Sequence, residues 1–146
     1  MLPVHMDASY LDVETSPLFP FGFGLSYSTF AFDDIHISPR RAPVGSAVSV
    51  SVRVTNTGTR TACTVVQLYV RDKLASLTRP VRELKGFSRV TLGPGESNVV
   101  NFTLASDSLS FFGRNGMRAT EPGEFLVIVG EDSRASLVDS FELHEP

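Results

Sequence analysis

Alternation of apolar and polar residues with a period of two runs through most of this chain. Between Ala47 and Val54, Val48, Val50, Val52 and Val54 alternate with Ser49, Ser51 and Arg53. Successive side chains of a strand point to opposite faces, so this is a strand with one buried and one wet face. Asn56-Thr57-Gly58 then supplies turn chemistry. Val65–Val70 is apolar on both faces except at Gln67, as a central strand would be. Arg82–Leu92 reads as a strand bent or bulged at Gly86. Gly93-Pro94-Gly95-Glu96 is a turn, and Val100, Phe102 and Leu104 form the inner row of the next strand.

Leu109–Phe112 and Met117–Ala119 form a short excursion around Gly113-Arg114-Asn115-Gly116. Glu121-Pro122-Gly123 turns the chain into the apolar strand Phe125–Val129, and Leu137–Leu143 closes the series. With Phe30–Ile37 at the start there are about seven strands, with turn signals roughly every 8–12 residues. No segment of helical length shows a 3.6 period. The pattern predicts an all-β, immunoglobulin-like antiparallel sandwich.

The first 30 residues are of another kind. Pro17-Leu18-Phe19-Pro20-Phe21-Gly22-Phe23-Gly24-Leu25 mixes three Phe and two Leu with two Pro and two Gly. Proline and glycine disrupt regular ladders, so neither a helix nor a strand is expected. Each Phe can bury roughly 150–250 Å², so the segment must dock on something. Two partners are open to it: the edge of its own sandwich, or a neighbouring domain.

Bulk properties narrow the function. A chain of 146 residues fits one domain. Net charge is −3, which leaves no basic surface to neutralise phosphates and argues against nucleic acid. No run approaches the roughly 18 apolar residues of a membrane span. The N-terminus lacks the pattern of a signal peptide, so an exported parent (periplasmic or secreted) would carry its signal upstream. One cysteine, Cys63, permits no internal disulfide, and with no basic neighbour in sequence it reads as inert.

Candidate chemistry is sparse. Asp33 and Asp34 are adjacent, which in a strand sends them to opposite faces. Glu121 and Glu124 flank a turn, and Glu131 and Asp132 fall in the last hairpin loop. His5, His36 and His144 have no metal-ligand spacing. No catalytic residue, metal site or cofactor is expected. Asp72–Pro80 is a long connection of the kind that forms interfaces.

These blocks resemble a known family. Pro17 to Phe30 is similar to the segment leading from the α/β sandwich domain of glycoside hydrolase family 3 enzymes into a C-terminal fibronectin type III-like domain. Val54–Gly58, Val65–Val70, Ala75–Phe87, Leu92–Glu96 and Glu121–Gly130 resemble its successive blocks, in order. Phe23 stands where Tyr is common, and Ser28 where Thr is common. The resemblance spans roughly residues 10 to 143.

The resemblance implies a parent of the β-glucosidase or β-xylosidase type, which removes terminal β-linked sugars with an Asp nucleophile and a Glu acid/base. Neither residue matches a position in this chain. The expected organisation is residues 1–30 as remnant of the preceding domain and linker, and 31–146 as the sandwich. The expected role is accessory: packing against the catalytic domains and stabilising them. Interdomain contact is expected at Phe19, Phe21, Phe23, Tyr27, Arg79 and Phe87, and the Phe cluster also predicts self-association. A free-standing carbohydrate-binding or protein-interaction module is the alternative, although the chain has no Trp and only Tyr10, Tyr27 and Tyr69 to offer a sugar.

Overall fold

The computed structural model describes residues 17–73, 82–112 and 116–146. Seven strands of eight residues or more build it: β1 (Phe30–Ser38), β3 (Val48–Asn56), β4 (Ala62–Asp72), β5 (Glu83–Leu92), β6 (Ser97–Leu104), β9 (Gly123–Gly130) and β10 (Leu137–His144). Three short ones join them, β2 (Arg41–Pro43), β7 (Phe111–Phe112) and β8 (Arg118–Ala119), with a single helical turn α1 (Ser106–Leu109). One sheet has the order β1-β3-β6 and the other β2-β10-β9-β4-β5, while β7 and β8 form a separate hairpin. Pairing is antiparallel throughout, except where β2 lies parallel to β10.

The alternation in β3 is realised directly. Val48, Val50, Val52 and Val54 are fully buried between the sheets, and Ser49 and Arg53 are exposed. Val66, Leu68 and Val70 of β4 face them, with Phe125, Val127 and Val129 of β9 and Phe141 and Leu143 of β10. Phe125 and Phe141 stack at 5.4 Å between ring centroids. Gly86 lies at a bulge, as its position suggested. Leu68 pairs with Gly86 but Tyr69 pairs with Leu84, leaving Lys85 as the extra residue. The bare glycine also admits the Phe102 ring, which a Cβ would meet at 2.9 Å.

Asn56 ends β3 and organises the adjacent turns. It is fully buried, and its Nδ2 donates to the carbonyls of Arg60 and Leu92, both at 2.8 Å. Its Oδ1 accepts from the Ser28 hydroxyl at 2.6 Å and the Gly58 amide at 3.0 Å. The residue therefore does more than favour a turn: it ties the loop after β3, the start of β1 and the end of β5 to one another.

Two local expectations are corrected. Asp33 and Asp34 do not diverge, because β1 is bulged between Asp33 and His36 and Asp34 takes a φ of 52°. Both carboxylates reach Arg53, at 3.8 and 2.5 Å. Cys63 does have a basic neighbour: Arg89 of the adjoining strand donates to its Sγ at 3.2 Å. Register across strands, not adjacency in sequence, brings these groups together.

Candidate docking surface

The outer faces of the two sheets differ in chemistry. That of the three-stranded sheet carries Ser49, Ser51, Arg53 and Thr55 on β3, with Ser97, Asn101 and Thr103 on β6; Val99 is its one large apolar side chain. The five-stranded sheet presents Val65, Tyr69, Leu84, Phe87, Leu126, Ile128 and Val138 on its outer face. Of these, Val65, Leu84, Phe87 and Val138 are exposed, Phe87 at 71%. An antiparallel sheet with one solvated face should alternate apolar-in and polar-out. The three-stranded sheet obeys that rule, whereas on the five-stranded sheet the apolar side chains share the outer face with exposed Arg71, Arg89, Thr91 and Glu142.

The N-terminal segment lies at the same face. Phe19 and Phe21 are 65% and 66% exposed, Leu18, Leu25 and Tyr27 still more so, and Phe23 sits at 38%. Phe19 and Phe23 contact each other at 5.2 Å, and the Arg134 guanidinium lies 5.9 Å from the Phe23 ring. The backbone, by contrast, is fastened. Gly22 O accepts from Gln67 Nε2 at 3.0 Å, and Phe21 O accepts from the Ser133 amide at 2.9 Å. The segment thus docks on its own sheet through its main chain and turns its aromatic side chains outward.

Four of the six expected contact residues therefore fall on one side of the molecule: Phe19, Phe21 and Phe23 on the segment, and Phe87 opposite Gln67 in the β4–β5 register. Tyr27, 93% exposed, follows where the chain turns toward Asn56 through Ser28. Arg79 lies outside the described residues. What sequence reasoning missed was Gln67, a single amide in an apolar run. It is 5% exposed, donates to Gly22 O and to Glu131 O, and accepts from the Tyr69 hydroxyl. A lone amide within the apolar run Val65–Val70 was the available signal in the sequence.

The acidic residues considered for chemistry are occupied structurally. Glu131 accepts from the Thr64 hydroxyl at 2.8 Å, and Asp132 caps its own turn by accepting from the Arg134 amide at 2.7 Å. Glu124 is paired with Lys73 at 2.9 Å, and that hydrogen bond holds its carboxyl below the usual range. Among the described residues no group of three His, Cys, Asp or Glu is placed to hold a metal ion. Asn101, in the acceptor pattern Asn101-Phe102-Thr103, is exposed on β6.

Tyr69 is the one tyrosine of the sheet face, and it is buried. Burial raises its phenol above the ordinary value, Asp132 raises it further, and Arg82 acts the other way. The unfolded chain ionises at about pH 10, while the folded phenol stays protonated to higher pH. Stability is therefore undiminished below about pH 10 and falls as pH rises toward the folded value. Urea unfolding of wild type and Tyr69→Phe across pH 8–11 checks this. Wild type should lose stability relative to the variant only in the alkaline part of that range.

Comparison with known proteins places this architecture. Residues 64–133 match the fibronectin type III-like domain family. The chain is 43% identical over 141 residues to the periplasmic β-glucosidase of Salmonella typhimurium, covering 97% of this chain but 18% of that protein. It is 41% identical over 143 residues to a putative β-xylosidase of Formosa agariphila, covering 98% and 19%. Among solved structures, the β-glucosidase EmGH1 of Erythrobacter marinus superposes with a TM-score of 0.88 at 38% identity, over 92% of this chain and 18% of that one. The β-glucosidase of Listeria innocua in complex with glucose gives a TM-score of 0.84 at 36% identity, over 93% and 19%. The chain spans about a fifth of the length of the relatives it matches.

Proposed function

We propose that this chain, a fibronectin type III-like domain of the glycoside hydrolase family 3 β-glucosidases and β-xylosidases, is a non-catalytic accessory module. Its task is to pack against the catalytic domains of such an enzyme and stabilise them. Residues 1–30 serve as linker and remnant of the preceding domain, and 31–146 as the module. Hydrolysis of terminal β-linked sugars belongs to the parent, whose Asp and Glu this chain does not carry.

The observation that supports this reading is the asymmetry of the two outer faces. Phe19, Phe21 and Phe87, each about two-thirds exposed, present on the order of 400 Å² of apolar surface between them. The largest apolar patch of a monomer is about 300–600 Å² and is often an interaction site. The opposite face, built of Ser, Thr, Asn and Arg around the single Val99, is what a face left in water looks like. A module buried on one side only would be made this way.

The test is a pair of charged substitutions in the full-length enzyme. Leu84→Asp with Phe87→Asp should lower its unfolding temperature and its activity after heating, because carboxylates would be carried into an apolar interface. Val99→Asp, on the polar sheet, should change neither. In the isolated chain Phe87 is already 71% exposed and Leu84 37%, so the double variant should cost that chain only about 1 kcal/mol. It should also weaken any concentration-dependent self-association of that chain through the sheet face. A full-length double variant as stable and active as wild type would remove the docking role.

A further inference from the structure

The turn Pro20–Gly24 is held by groups that have no other visible task. Gln67 spends both amide protons and its carbonyl here: Nε2 donates to Gly22 O and Glu131 O, and Oε1 accepts from Tyr69. The Ser133 amide donates to Phe21 O, and the Phe23 amide donates to Pro20 O at 3.0 Å, closing the turn. Pro20 is buried, while its neighbours on both sides are exposed. Arg82 holds the Ser133–Ala135 corner from the other side, donating to both carbonyls at 2.7 Å.

Gly22 is the residue this seat selects. Its φ of +79° is a conformation that side chains disfavour. A Cβ added there would lie 2.1 Å from Gln67 Oε1, and that amide is anchored by Tyr69 and Glu131 O. At Gly24, two residues on, an added Cβ meets nothing within 4 Å. The seat thus reads backbone carbonyls and the absence of a side chain, and of the flanking aromatic groups Phe23 is touched by it, through Arg134.

We propose that Gln67 and the Glu131–Ala135 corner form a latch for this turn of the chain. The latch opens without unfolding the sandwich, and when closed it fixes the position of residues 20–24 on the five-stranded sheet. It goes beyond the docking role and does not depend on it: the hydrogen bonds of the latch are all within this chain and involve no apolar side chain of the exposed face. A purely hydrophobic linker could slide over the sheet, whereas two oriented carbonyl acceptors and a buried amide allow one position.

Amide hydrogen exchange of the intact chain, resolved by NMR, tests it. The Ser133 amide reports the latch, and the Val127 and Val129 amides of β9 report the sandwich. Gly22→Ala should accelerate Ser133 exchange by about tenfold or more, and Gln67→Leu should do likewise. Val127 and Val129 should keep their wild-type rates, and Gly24→Ala should leave all three amides unchanged. The latch is refuted if Gly22→Ala leaves Ser133 as protected as in wild type, or if Gly24→Ala opens it equally. It is also refuted if Val127 and Val129 accelerate in step with Ser133, since turn and sandwich would then be one cooperative unit.

Discussion

Replacing Asn56 by alanine should destabilise the domain by about 2–4 kcal/mol, a large part of the roughly 5–15 kcal/mol expected of a folded domain. The side chain makes four hydrogen bonds and is wholly out of water. Alanine would leave the Leu92 carbonyl without its buried donor, and the Ser28 hydroxyl and Gly58 amide without their acceptor. The cost of a buried group left unpaired exceeds the net value of the bond it made. Asn56→Asp is the sharper control. It keeps an acceptor for Ser28 and Gly58 but turns an oxygen toward the Arg60 and Leu92 carbonyls, so it should be at least as damaging. Chemical denaturation of both variants, read as the shift in midpoint at constant slope, measures this directly.

Phe125→Ala should cost about 3–5 kcal/mol, for a different reason. Phe125 and Phe141 are 1% and 2% exposed and stack nearly parallel, with 11° between ring planes. They fill the space between the sheets beside Val127 and Leu143. Truncation removes the transfer free energy of the ring and leaves a cavity that the strands, paired on both sides, cannot close. Phe125→Leu should cost roughly half as much, since most of the volume remains. Thermal unfolding followed by circular dichroism distinguishes the two variants, with the alanine chain melting well below the leucine chain.

How much of this was legible in the sequence depended on the range of the interaction. The period-two pattern of Val48–Val54 predicted the burial of β3 residue by residue, because strand geometry alone decides it. The seven long strands and the bulge at Gly86 follow from the same local logic. The two-residue strands β7 and β8 could be seen only as an excursion. Strand β2 could not be seen at all, since three residues including Pro43 carry no period and owe their pairing to β10, about a hundred positions away.

The docking surface was partly legible. A run of Phe among Pro and Gly had to be covered by something, and two partners were open for it. The structure shows why the choice was incomplete: the main chain of the segment sits on its own sheet while its side chains face away. That division of labour rests on Gln67, 45 positions from Gly22, and no local pattern reveals such a distance. The pairing of Asp33 and Asp34 with Arg53, and of Cys63 with Arg89, likewise required a bulge and a register that single residues do not announce. Arg79 falls outside the described residues, and the contact role of all six residues stays a proposal.

Hydroxyl-radical footprinting of the five-stranded face is the most direct measurement of the central claim. Phe21 and Phe87 would be labelled in the isolated chain and in a full-length family 3 enzyme that contains it, with Val99 on the polar sheet as internal standard. The account predicts that both phenylalanines are strongly protected in the full-length enzyme while Val99 is labelled equally in both. Equal labelling of Phe21 and Phe87 in the two proteins would mean that this face stays in water, and would contradict it.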